Sequence, residues 1–470
     1  MMTTEYASRL SSRSGLDGVN RILIFALSLY LGTLAIAQTA YGGGFMNARW
    51  IALSLLLTIA AACWFLTKPQ HAKVSANSTT IVLIYLSMTF LSVVTAENPL
   101  FSGLKWVSHA AMVVIFLVFL WQSLNLKQIR EALTVLKWVV AALLILSWLK
   151  PTSAVRSQDI ELFRGAFGSP NSMGQVAAIG CLLFLHGFLT KKTGWLRRAE
   201  IFMACAAAWL VWSSGARSAM VALISGLGLM SYFYPHKMRG KVLFVTLLAG
   251  GLALTMPNLP KAITGFVVRG HTETKPLSEQ IFRTRSSVWT AAWEGFKKRP
   301  VFGWGFGAED NIAKEWQPKF TALGLASRDS VNDTLISLES TGVVGLMAYI
   351  LLVILAIKQI PTRRERLLLR AIHAPPAVSR ETGLSAYHNH AVAFIIAGTL
   401  LVTVQFDNTA LSAGNFVSVT LWLCVALAGA IKSKALVYEA ATARYRDLHK
   451  RVHGQSSRDV PEPSLSRTPA

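Results

Sequence analysis

Four arginines and one short run of acids and amides carry most of the chemistry open to this chain. Arg164 precedes a Gly- and Pro-containing turn in RGAFGSPNSMG, and Arg217 stands in WSSGARSAM. Arg283 and Arg285 belong to RTRSSVW. A guanidinium keeps its charge and grips phosphate oxygens in two-point contacts. Each arginine alone also fits a lipid-headgroup anchor or a salt bridge. Together, at the ends of several apolar runs, they suit an anionic ligand such as a lipid-linked diphosphate. Arg217 is the strongest of them: it interrupts a long apolar stretch, where a charge is costly. Downstream, SVNDTLISLESTGVVGL holds Asn332, Asp333 and Glu339, with Asp329 just before it. Asn332 and Asp333 fit helix N-caps. A carboxylate here equally fits the acceptor of a proton from an attacking hydroxyl. His271, in RGHTETK, is a further candidate base, although a lone loop histidine is more often solvated. GWGFGA (Gly303 to Ala308) lacks the Lys-Ser or Lys-Thr ending of a phosphate loop and follows no strand, so it reads as a tight, flexible turn.

These groups need a scaffold, and the composition says which kind. Of 470 residues, 53% are hydrophobic and 15% charged. Soluble domains have about 25% charged residues, so the chain reads as a polytopic membrane protein. Apolar runs of near-spanning length recur at 20–38, 50–66, 79–96, 105–123, 131–149, 171–189, 199–213, 217–234, 241–256, 334–357, 390–406 and 412–431. That predicts an all-α protein of about twelve transmembrane helices.

The net charge of +23 is explained by where the basic residues fall. With the N-terminus inside, the cytoplasmic connections hold Lys68 and Lys73, Lys127 and Arg130, Lys191 to Arg198, Lys237 to Lys241, and Arg363 to Arg380. The alternate short loops hold Arg49, Lys105 or Arg217 alone. This is the positive-inside pattern, and it removes the argument for nucleic acid. The organisation expected is a cytoplasmic tail 1–18, helices over 19–256, a large outer loop 257–333, helices over 334–431 with a basic cytoplasmic loop 358–389, and a basic tail 432–470 of little fold. His109 and His186 fall in helices, His388 and His390 in the basic loop. Cys63, Cys181, Cys205 and Cys424 lie in apolar runs without metal spacing, so neither zinc nor disulfides are expected. In the outer loop Trp289, Ala292, Trp293 and Phe296 recur at helical spacing. That stripe fits a helix lying on the bilayer surface or one packed on the bundle.

With these residues in view, Arg285…Trp289, Pro300…Gly303…Gly305…Gly307 and Asn332…Leu335…Gly342…Gly345-Leu346 resemble motifs of the O-antigen ligase and polysaccharide polymerase superfamily. FGSPNSMG and SSGARSAM resemble two further motifs. The motif resemblance covers roughly residues 160 to 350, and the hydropathy profile agrees over nearly the whole chain. It implies a GT-C-like, all-helical, metal-independent inverting glycosyltransferase of the bacterial inner membrane, without cofactor. Its partners would be undecaprenyl-diphosphate-linked oligosaccharide, membrane lipids, and export or chain-length proteins. Arg217 and, approximately, Arg285 match the family's diphosphate-holding arginines. The family's His-Asn pair is Val331-Asn332 here, and valine cannot take a proton; Asp329, Asp333 and His271 are the candidate bases, and lost or changed activity is the alternative. Polymerase and ligase readings share this site, and the run from RTRSSVW to GWGFG leans toward exopolysaccharide polymerases. A transporter or flippase would call for ionisable groups near helix middles and Gly- or Pro-broken helices in paired halves; Lys137 is the only clear charge within a span, and no paired halves appear in the sequence. A non-catalytic scaffold is the third class.

Overall fold

A computed structural model describes residues 2–67, 72–149, 155–157, 160–190, 194–234, 240, 289–307, 333–371, 380–405 and 411–453. Over these the chain is nearly all helical. Among the described residues six helices are long and apolar enough to cross a membrane: Gly42–Leu66, Pro99–Ser123, Leu126–Leu149, Pro170–Thr190, Asp333–Ile357 and Phe416–Val437. Shorter apolar helices cover Arg21–Ala37, Ser78–Val94 and Arg217–Phe233. The expected run at 241–256 lies outside the described residues, as do Arg283, Arg285, His271, Asp329, Val331 and Asn332.

Burial ranks the helices. The apolar stretches of Pro170–Thr190 and Phe416–Val437 are 83% and 94% buried, so these two form the centre. Phe25, Ile51, Leu100, Trp138 and Trp195 are exposed. Such apolar faces are costly in water and suited to lipid.

The structure adds one short feature to the helical fold and corrects two expectations. A two-stranded antiparallel hairpin pairs Val155–Ser157 with Ile160–Leu162, so the fold is not purely helical. The last helix runs on from Phe416 to His453, into the tail read as having little fold. Ala, Leu, Lys, Glu and Arg dominate that stretch, and all are strong helix formers. The tail is also held: Lys432 Nζ donates to the Lys358 carbonyl at 2.7 Å, and Arg364 pairs with Glu439. Finally, His388 and His390 are buried within the helix Arg380–Thr403 and not in a loop. His388 stacks near Tyr234 and Tyr387, whose hydroxyl donates to the Phe233 carbonyl at 2.5 Å.

Lys137 has a structural partner. It pairs with Glu200, 6% exposed, and its ammonium lies 5.3 Å from the Phe184 ring centre. The pair joins Leu126–Leu149 to Trp195–Ser213. Removing one partner of a buried pair strands the other charge, at about 3–5 kcal/mol, whereas an apolar double replacement is often neutral. Lys137→Met should therefore lower the melting temperature in detergent markedly, and Lys137→Met/Glu200→Leu should restore most of it. A silent single variant would mean that the pair contributes nothing.

The loop ends gather in two groups. At one end Ala40 donates to the Ala166 carbonyl, Phe163 to Ser213, Arg49 to Gly414 and Asp333 to Val404. At the other, Trp121 Nε1 donates to Ser433, and His186 bonds to Tyr234. The first group contains the loops that the basic-residue pattern assigns to the poorer, outer side.

Candidate functional site

The apparent span Asp333–Ile357 is two helices joined at Gly342, whose backbone (φ 67°, ψ −167°) is not helical. A break at this depth exposes carbonyls from the first piece and amides from the second, which must find partners inside the protein. The turn 300–305 provides them. Trp304 and Gly305 amides donate to the Glu339 and Ser340 carbonyls at 3.2 and 2.9 Å. The Val343 and Val344 amides donate back to the Pro300 and Val301 carbonyls at 2.9 and 3.3 Å. The Gly-rich segment read as a flexible turn is thus a clamp on the broken helix. Side chains fix it further. Ser102 Oγ donates to the Phe306 carbonyl at 2.9 Å, Lys105 Nζ to Gly307 at 2.6 Å, and Trp304 Nε1 to Gly295 at 2.9 Å.

The preceding helix, residues 289–298, packs on the protein. Ala291, Ala292 and Gly295 are buried, Trp289 is half-buried, and the fully buried Glu339 lies against Gly295. Trp293 is exposed. Of the two readings of the tryptophan stripe, bundle packing describes Ala292, while Trp293 is exposed and its ring lies 5.2 Å from that of the half-buried Phe296.

Around the clamp lies a cavity of about 330 Å³. Its walls come from Arg49 and Trp50, Lys105 and Ser108, Phe306 and Gly307, Ile336 and Ser340, and the segment Leu411 to Asn415. Arg49 Nη1 donates to the Gly414 carbonyl at 3.2 Å, and its guanidinium lies 4.8 Å from the Trp50 ring centre. Behind Phe306, 5.2 Å from its ring, is the buried His109, whose Nε2 is 2.8 Å from the Tyr85 hydroxyl. Among the described residues no three His, Cys, Asp or Glu side chains gather as a metal site would require.

Arg164, Arg217 and Asp333 do not line this cavity. Arg217 opens its helix directly after the turn at Gly215 and is half-buried. The helix carrying FGSPNSMG presses on that turn: a Cβ at Gly174 would lie 2.6 Å from both Ala216 Cβ and Ser214 Oγ. Phe163, beside Arg164, donates its amide to the Ser213 carbonyl at 3.0 Å. The two motifs therefore meet, and they bring the Arg164 segment to the Arg217 turn. Arg164 keeps a buried Nε without a hydrogen-bond partner. Asp333 is fully buried, and its amide donates to the Val404 carbonyl at 3.1 Å. It shares a helix face with Ile336 and Ser340, three and seven residues on, which do line the cavity.

Depth along the bundle connects Arg217 and Asp333. Helix Arg217–Phe233 packs on Arg380–Thr403, with Gly226 meeting Thr399 and Phe233 meeting Phe394. From that level Arg217 lies nine residues toward one end, about 13.5 Å, and Val404 five residues toward the same end, about 7.5 Å. Both therefore stand at the end of the bundle that holds the cavity.

Residues 201–350 match the protein family described as O-Antigen ligase.

The resemblance to the O-antigen ligase and polymerase superfamily therefore holds for this segment, and it points to ligase- or polymerase-type activity. The O-Antigen ligase match spans the Arg217 turn, residues 289–307 and the break at Gly342. No curated protein sequence matches the chain. Sequence reasoning did not single out Arg49 and Lys105, which line the cavity, because each stands as a lone cation at the end of an apolar run. Their one sequence signal was a cation placed where the basic-residue pattern is otherwise sparse.

Proposed function

We propose that this protein is an inner-membrane glycosyltransferase that polymerises exopolysaccharide or O-antigen repeat units from undecaprenyl-diphosphate-linked glycans. The observation that carries this reading is the O-Antigen ligase match over the segment that contains Arg217 and the clamped broken helix. On this reading the cavity end faces the periplasm and both termini the cytoplasm. Arg217, with Arg164, Arg283 and Arg285, holds the diphosphate. That group leaves with its charge rising, so fixed cations at its oxygens favour the transition state over the ground state. The acceptor hydroxyl attacks the anomeric carbon from the face opposite the diphosphate, the carbon–oxygen bond to the diphosphate breaks, and configuration inverts. The hydroxyl proton passes to a carboxylate or imidazole, with Asp333, Asp329 and His271 as the candidates, and Asn332 beside them orients the acceptor. Neither a metal nor a cofactor takes part.

A ligase acting on lipid A core would use the same site with another acceptor. Deletion of the gene followed by analysis of surface polysaccharide separates the readings. Lost polymer or chains of one repeat support the polymerase, full-length but unattached chains support the ligase, and an unchanged surface overturns both.

Asp333 has its own test. If it is the base, Asp333→Asn should lower transfer about 100- to 10,000-fold, the usual span for a lost general base, while Asp333→Glu keeps part of it. Normal transfer by Asp333→Asn would make Asp333 a helix cap.

A further inference from the structure

The cavity differs from the arginine site in its chemistry. Arg49 and Lys105 reach it from two helices, and among the described residues that line it none is acidic. Arg49 spends one donor on the Gly414 carbonyl and keeps a buried Nε with no hydrogen-bond partner. A guanidinium and an ammonium in one wall, with no carboxylate among the described lining residues, suit an anion. The rest of the wall suits a sugar. Ser108 and Ser340 hydroxyls donate to carbonyls of their own helices at 2.8 and 2.6 Å, which leaves their lone pairs to accept from a ligand. Trp50 and Phe306 add apolar ring surfaces. The volume is near the lower end of the usual range for small-molecule pockets, about 300–1,000 Å³. That admits a single substituted sugar ring.

We propose that this cavity binds an acidic sugar, with its carboxylate or phosphate on Arg49 and Lys105 and its ring against Trp50 and Phe306. The inference rests on the reading of the protein as one that handles glycans, and it specifies the substrate: a repeat unit with an acidic residue.

The test uses the full chain in phosphatidylcholine nanodiscs. Binding of methyl glucuronide, glucose 1-phosphate, methyl glucoside and inorganic phosphate is followed by ligand-observed NMR. Both acidic sugars should bind at least tenfold more tightly than methyl glucoside or inorganic phosphate. Arg49→Gln should weaken them at least tenfold. Ser108→Leu, which fills the cavity and keeps both cations, should do the same, and it decides the matter if Arg49→Gln does not fold. Equal binding of methyl glucoside, or acidic-sugar binding that survives both variants, overturns the proposal. Inorganic phosphate binding as tightly as glucose 1-phosphate, or displacement of the sugars by phosphatidylglycerol in the nanodisc, makes this a phosphate or lipid-headgroup site and overturns it too. The two readings fail separately. Absent sugar binding, with polymer still lost on deletion, removes the cavity assignment alone. Intact sugar binding with an unchanged surface polysaccharide on deletion removes the transferase reading alone.

Discussion

Arg217→Ala should abolish polymer or ligated product in a complementation assay while the protein accumulates to normal levels. The residue begins a helix after a glycine turn, at a helix N-terminus where backbone amides already favour an anion. Its guanidinium adds a fixed charge at the end of the bundle where the broken helix and Asp333 also stand. Loss of one preorganised donor to developing negative charge costs about 100- to 1,000-fold in rate. Across many successive additions such a deficit leaves no long chains. Arg217→Lys should be intermediate, because a lysine keeps the charge without the planar fork. Gel analysis of surface polysaccharide, with immunoblotting for the protein, reads both effects. Full-length product from Arg217→Ala would end the diphosphate-holding role.

Gly342→Ala is expected to have the largest effect on stability. The backbone there, φ 67° and ψ −167°, lies in a region essentially reserved for glycine, and side chains forced into such regions cost about 1–3 kcal/mol. A Cβ would also fall 2.2 Å from the Val301 carbonyl oxygen and 2.7 Å from the Phe302 amide. Neither neighbour is a flexible side-chain tip, so the two segments of the clamp must separate. Four backbone hydrogen bonds between 300–305 and the break then weaken together, and buried amides and carbonyls lose their partners. The expected result is a strongly lowered melting temperature in detergent and loss of transfer. Gly43→Ala is the control, since nothing lies within 4 Å of a Cβ there. It should change stability by about 0.5 kcal/mol or less. A Gly342→Ala protein as stable as the control would show that the clamp does not hold the break.

Much of the architecture is written in local pattern. Apolar runs of spanning length located the helices, and the turn at Gly215 separates Trp195–Ser213 from Arg217–Phe233 as the sequence suggested. The motif order around Arg217 and Gly342 was enough to indicate the family that the segment 201–350 matches. Side-chain periodicity and turn residues report on neighbours a few positions away, so these features survive in the sequence.

Contacts between distant segments do not leave such a trace. GWGFGA looked like a free turn because its partners, Glu339 and Ser340, are about 35 residues further along. Lys137 looked like a lone intramembrane charge because Glu200 is 63 residues away. Arg49 and Lys105 looked like single loop cations until helix packing set them in one wall. The sequence by itself determined a helical membrane protein, its motif order and the cationic character of its loop ends. Only the tertiary structure decided which ends meet, because that depends on how whole helices pack. In a bilayer, buried charges and broken backbone must find partners wherever packing places them.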